Sequence, residues 1–445
     1  MPRSPRRPRR TRARARMGTR TAAVALSLAL GTVAVAACSS SSREPSVAAN
    51  AAAPAGQPNP VPGFDGVTIR IGEISAITGP NGLIGLPLTA GSQAYFDYVN
   101  TELGGIGGKY QVAMDVKDTG GDPAKAAAAY AAVRTDTVLL AQVLGGPVVT
   151  ALLPQLRADG ALAVPTLAAD DLRDPNLLPT GVPVSVQAMN ALEWYLAQPD
   201  HIGPLCSIVQ DDAYGSAGSA GLAYAAKQRN VSLGAVAHVP APPNPPGKLD
   251  ATFAQLKAAS CGAVVLITTP TAASAVLTQA GAAQLAVQWI GLTSSWTSTL
   301  ASSGAVGYLL HHLVVVTDGA DYTDGRVGGI VELVRIKAAY SPALPPDPWF
   351  TVGFVQAEAV TQVLEKAVAQ GDLSRAGIIR ASQALGAVSF GGVAGAYTYG
   401  KVAERRPPTT SGISAVDPTS PTGLKISVAS VHAPYADASL TATGS

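Results

Sequence analysis

Histidine and cysteine, the residues that do chemistry most readily, are few in this chain and poorly spaced for it. The five histidines are His201, His238, His311, His312 and His432. Only His311 and His312 are close, and neighbours in a strand point to opposite faces. Neither a metal site nor a histidine-based catalytic dyad is expected. No C-x-x-C, H-E-x-x-H, G-x-S-x-G or P-loop run occurs. The run Gly104-Gly-Ile-Gly-Gly108 has the glycines of a nucleotide loop, yet it follows a helical segment and precedes an extended one. The dinucleotide motif needs strand, loop and helix in that order, so the run reads as a tight turn. The expectation is a chain that is not an enzyme and carries no cofactor.

Cys38 stands apart from the other two cysteines. Residues 21–37 are uncharged and about as long as a signal-peptide core, but short for a bilayer span, which needs ~20 apolar residues. They end in Val35-Ala36-Ala37-Cys38, which resembles the bacterial lipobox, small residues ahead of a cysteine whose thiolate accepts the lipid. Residues 1–37 are read as a signal peptide and Cys38 as the lipidation site, with the leading arginines a long n-region or Met17 the start. Residues 38–65 have several prolines and few large apolar side chains. They predict a flexible tether holding an extracytoplasmic body at the membrane.

The charge is unevenly spread. Nine arginines and no acid lie in residues 1–37, which leaves 22 basic against 29 acidic side chains for the rest. An acidic body offers no phosphate-tracking surface, so no nucleic-acid partner is expected. At 445 residues and 47% hydrophobic, the chain has material for two cores.

Those cores need elements to carry them. Residues 67–75 alternate and are β-branched, as a strand should be. A helix is predicted over 87–103, a strand over 110–116, and a helix opening at Asp122-Pro123 with Asp as N-cap. Strands at 138–143 and 161–164 flank a helix at 147–158. The alternation restarts after Gln187, with strands at 205–210, 231–239, 263–268 and 287–291 and helices at 216–228, 249–259 and 271–283. Helical stretches near 324–339, 349–369 and 374–385 follow, then short strands near 396–399 and 424–429, with 405–423 read as an exposed loop. The class is α/β, two Rossmann-like doubly wound parallel sheets. Ligands in open α/β sheets bind beyond the carboxyl ends of strands. That places Thr78, after the first strand, and Tyr214, after the strand at 205–210, at a presumed cleft. Cys206 and Cys261 each begin a strand, and the first and third strands of a doubly wound lobe are neighbours. The pair is expected to form a disulfide in an oxidising compartment.

Four runs in sequence carry a family resemblance: IRIGEISAITGP from Ile69 to Pro80, the Gly104–Gly108 turn, Asp118 through Asp122-Pro123, and Asp211-Asp-Ala-Tyr-Gly215. Over residues 67–428 the chain resembles type I periplasmic binding proteins of the branched-chain amino-acid ABC-transporter class. The resemblance implies two lobes joined by three crossovers, placed near residues 184–187, 316–318 and 389–392. Lobe 1 is then 66–185 and 318–389, lobe 2 is 186–317 and 390–430, and 431–445 is a tail. It also implies a ligand-covering role for Tyr214. A hydroxyl at Thr150 and the backbone amides of Leu167, Ala168 and Ala169 would take a ligand carboxylate. Amino-acid binders of the family place an acid after the strand matching 287–291, where this chain has Thr293. The aromatic expected after 263–268 is replaced by Thr268-Thr269-Pro270. Asp318 or Asp321 is an alternative source of charge, and Trp296 and Trp349 are either cleft aromatics or core. The expected ligand is neutral or anionic rather than a branched-chain amino acid. The expected partners are an ABC permease and its ATPase, with the chain a monomer anchored at the membrane. A ligand-sensing receptor and a tethered hydrolase are the alternatives.

Overall fold

Residues 58–442, apart from 80, 169–171, 242, 243 and 245, are described by the computed structural model. The expected signal peptide, the expected lipidation site Cys38, most of the expected tether and Ala169 lie outside the described residues. The first lobe runs β1 (Thr68–Ser75), α1 (Gly82–Thr101), β2 (Gln111–Asp118), α2 (Ala126–Ala131), β3 (Leu140–Leu144), α3 (Gly146–Asp159) and β4 (Ala163–Thr166). Its sheet is wholly parallel, in the order β2-β1-β3-β4. The second lobe follows with α4 (Val184–Leu196), β5 (Leu205–Gln210), α5 (Ala213–Arg229), β6 (Val236–Val239), α6 (Asp250–Ala258), β7 (Ala263–Ile267), α7 (Pro270–Ala282), β8 (Gln288–Gly291), α8 (Val306–His312) and β9 (Leu313–Thr317). Helices on both faces bury every residue of β5 and β7. Continuous apolar runs of this kind are what a covered parallel sheet requires.

The chain then returns to lobe 1 with α9 (Gly328–Tyr340), α10 (Pro348–Ala369) and α11 (Arg375–Gln383). Side-chain caps start these late elements: Asp347 accepts from Trp349 N ahead of Pro348, and Ser374 accepts from Gly377 N. A small hairpin, β10 (Ala387–Val388) and β11 (Tyr397–Thr398), stays with lobe 1, since Phe390, Val393, Tyr397 and Tyr399 pack into its core. The last crossover therefore lies between Tyr399 and Thr410 rather than at 389–392, and lobe 1 extends beyond the expected boundary at 389.

Four further readings need correction. Residues 405–423 are not an exposed loop, because they contain β12 (Thr410–Val416), buried between β9 and β13 (Leu424–His432) and antiparallel to both. The seven-stranded order β13-β12-β9-β8-β7-β5-β6 is thus mixed at one edge. The described part of the expected tail at 431–445, residues 431–442, is not free. Ala433 and Ala436 are buried against lobe 2, and α12 (Ala436–Ala442) follows. The packed body also starts before residue 66, where Phe64 is buried edge-on against Tyr110. His311 and His312 close α8 rather than lying in a strand. Cys206 and Cys261 are joined by a disulfide, their Cα atoms 5.8 Å apart. No described helix is long and apolar enough to cross a membrane.

Candidate functional site

The carboxyl ends of both sheets open onto one space between the lobes. Thr166, Leu167 and Ala168 leave β4, Tyr214 stands in the first turn of α5, Thr293 and Ser294 follow β8, and Thr317 and Asp318 end β9. Lobe 1 closes the other side with Trp349, Val352, Val355 and Gln356 of α10 and with Tyr322. The late strands supply Ser414, Leu424 and Ile426. Together they enclose a cavity of about 250 Å³. A second hollow of about 30 Å³ lies in front of it at the start of α3, lined by Asn81, Gly145, Gly146, Gln210 and Thr269 among others. Leu167 lines both.

Most polar groups of the larger cavity already have partners. The Tyr214 hydroxyl is hydrogen-bonded to Ser294 Oγ. Thr293 donates its N–H to Gln187 Oε1 at 3.1 Å and its hydroxyl to Val316 O at 2.8 Å. Gln356 Nε2 donates to Thr166 Oγ1 at 2.8 Å, while its Oε1 is buried without a donor. Trp349 Nε1 donates to Trp296 O at 3.0 Å, tying α10 to the second lobe.

Both acids in the wall are engaged by the protein's own donors. Asp318 accepts from Val182 N and Gly395 N, each at 3.1 Å. Its remaining exposure is toward the cavity, and burial pushes its carboxyl up against the opposing pull of those amides. Asp321 accepts from the N–H and hydroxyl of Thr323 and from Ile426 N. Burial would raise its carboxyl, but the Thr323 and Ile426 hydrogen bonds prevail and hold it below the ordinary value. Among the described residues the lining has no lysine, arginine or histidine.

Of the residues singled out from sequence, Leu167, Ala168, Tyr214 and Thr293 meet at this cavity, and so do Asp318, Asp321 and Trp349. Thr78 does not, because its hydroxyl is hydrogen-bonded to Asp118 in the loop after β1. Thr150 does not either, being exposed on α3. Trp296 is buried in the lobe 2 core, its Nε1 donating to Thr422 O. Gln187 and Gln356 were not foreseen. Their signal is a lone amide in an otherwise apolar helical stretch, which buries only with partners. Among the described residues, no three or more histidine, cysteine or acidic side chains are grouped to hold a metal.

A family profile described as periplasmic binding protein matches residues 68–411. No curated protein sequence matches the chain. A fatty acid ABC transporter substrate-binding protein from Thermomonospora curvata is 24% identical, with TM-score 0.77, covering 84% of this chain and 95% of that one. A branched chain amino acid ABC transporter protein from Thermus thermophilus, solved with bound valine, is 16% identical with TM-score 0.70, covering 82% and 97%. An ABC transporter solute binding protein from R. palustris, solved with benzoate, is 16% identical with TM-score 0.65, covering 82% and 98%.

Proposed function

Because the chain belongs to the periplasmic binding protein family, we propose that it is the substrate-binding component of an ABC uptake system. It captures a small neutral or anionic molecule between its lobes, rather than leucine, isoleucine or valine. The observation that carries the ligand claim is the state of the acids. Burying an ammonium costs several kcal/mol unless a carboxylate meets it. Thr293 stands where such an acid is expected, and each oxygen of Asp318 and Asp321 already accepts from a backbone N–H. The apolar wall of Val352, Val355, Trp349 and Leu424 suits an apolar body, with Gln187, Gln356 and Ser294 to hold a polar end. Proteins of this fold bind ligands as different as valine and benzoate, so the wall chemistry rather than the fold selects. Lipidation at Cys38 would keep the body at the outer membrane face, within reach of a permease.

A thermal-shift comparison tests the ligand claim. A monocarboxylic acid or amide at 100 times its dissociation constant is expected to add about 2.7 kcal/mol of stability, and Tyr214→Ala should abolish the gain. Micromolar binding of a branched-chain amino acid, lost on the same substitution, would overturn the ligand class while leaving the cleft in place.

A further inference from the structure

Four non-glycine residues among those described have positive φ, namely Leu167, Asn230, Ser260 and Gln284. The last three lie within two residues of the ends of α5, α6 and α7, where a left-handed residue is an ordinary terminator. Leu167 follows a strand instead, at φ 55°, where a bulky side chain is a strained exception. Strain of this kind persists only where the surroundings over-determine it, and it gathers at functional sites. Here the surroundings are both lobes. The Leu167 side chain packs on the cluster of Ile84, Leu88, Leu144 and Trp349 in lobe 1 and on the core of lobe 2 that includes Tyr214. Its carbonyl presses on the start of α3, where a Cβ on Gly146 would lie 3.0 Å away.

Leu167 is also the one side chain shared by the two hollows. The rear chamber and the front hollow are both walled largely by apolar surface, and the front hollow adds the polar groups of Asn81, Gln210, Asp212 and Thr269. Asn81, buried with its Oδ1 unpartnered, lines the front hollow beside the N-terminus of α3. We infer that Leu167 is a specificity-determining partition, which confines a ligand to the rear chamber and so limits its length. The inference rests on the proposed binding of an apolar solute between the lobes. The rear chamber lies below the ~300–1,000 Å³ of ordinary ligand sites, as a partitioned site would.

The test titrates straight-chain monocarboxylic acids and their primary amides of increasing length into the full-length protein and into Leu167→Ala and Leu167→Gly. Each methylene that finds apolar room strengthens binding about fourfold, the equivalent of ≈ 0.8 kcal/mol. In the wild type the gain is expected to stop at a short chain, and in both variants to continue for further carbons. The same cut-off in all three proteins would overturn the partition. If the wild type binds no member of either series, the ligand class fails instead. Xenon-pressurised crystals then decide the partition without a ligand. Xenon in the volume vacated at residue 167 of Leu167→Ala, continuous with the rear chamber, supports it, and collapse of that volume refutes it. Leu167→Gly relieves the backbone strain, so it guards against a variant that fails to fold.

Discussion

Glu73 sits where a carboxylate is least at home. It is fully buried in the middle of β1, and neither of its carboxylate oxygens has a hydrogen-bond partner. The neighbouring hydroxyls are engaged elsewhere, Thr89 donating to Ser75 Oγ and Ser92 to the carbonyls of Leu88 and Gly353. Across the sheet its register partner Gln142 also carries an unpartnered Oε1. Burial pushes the Glu73 carboxyl up to about 8. The folded protein therefore holds this proton more tightly than the unfolded chain. Stability is fully present below the ordinary value of 4.5 and is lost as the pH climbs toward about 8. Glu358, raised to about 7 by burial and then by Glu332, adds a loss of the same sign. Glu73→Gln mimics the protonated acid and is expected to flatten the decline without abolishing it. Melting temperatures of the two proteins should diverge in the variant's favour as the pH rises, and parallel curves would show that Glu73 is ionised when folded. At this same scale, Tyr214 and Thr293 are legible in the chain because each follows the carboxyl end of a parallel strand. Gln187 and Gln356 are not, since their meeting depends on helices far apart in sequence.

Glycines set how closely the helices approach. A Cβ on Gly353 of α10 would lie 1.9 Å from Leu88 O, and one on Gly91 of α1 would lie 2.1 Å from Phe350 O. The two backbones are in contact, so any side chain there must drive α1 and α10 apart. Overpacking costs about 1–3 kcal/mol, while alanine recovers only ~1 kcal/mol of helix propensity over glycine. Gly353→Ala should lower the urea midpoint and Gly307→Ala should not, because a Cβ on Gly307 in α8 meets nothing within 4 Å. Equal midpoints for Gly353→Ala and the wild type would mean the helices can part freely. The elements themselves are unevenly legible. β5 and β7 announce themselves as continuous apolar runs, whereas β12 reads Thr-Ser-Gly-Ile-Ser-Ala-Val and looks like a loop. Its hydroxyls are buried only because partners wait for them, Asn190 Nδ2 donating to Ser411 Oγ and Thr317 Oγ1 bonding Ser414 Oγ. No local pattern records such partners. α4 is similarly masked by valines at its start, directly after Pro183.

At the scale of the molecule, the two lobes are held at their spacing by three connections, and Asp318 touches two of them and the hairpin that leads to the third. It stands at the start of the second crossover, its Oδ2 accepting from Val182 in the first and its Oδ1 from Gly395, in the hairpin that leads to the third. A Cβ on Gly181 would lie 3.0 Å from the same carboxylate, so the fit leaves little slack. Among the described residues no cation is near enough to help hold the charge, and the backbone amides do that work. Asp318→Asn keeps the shape but replaces one acceptor with an NH₂ group that faces an N–H donor. One connection therefore loses its partner, at a cost of about 1–3 kcal/mol for an unsatisfied buried donor. Because the loss falls on the connections and not on either core, the lobes should stay folded while their joint loosens. Hydrogen exchange is expected to speed up at Val182 or Gly395 in the variant, with the amides of β5 and β7 as slow as before. Uniformly faster exchange would assign Asp318 to overall stability, and unchanged exchange at both amides would remove it from the hinge.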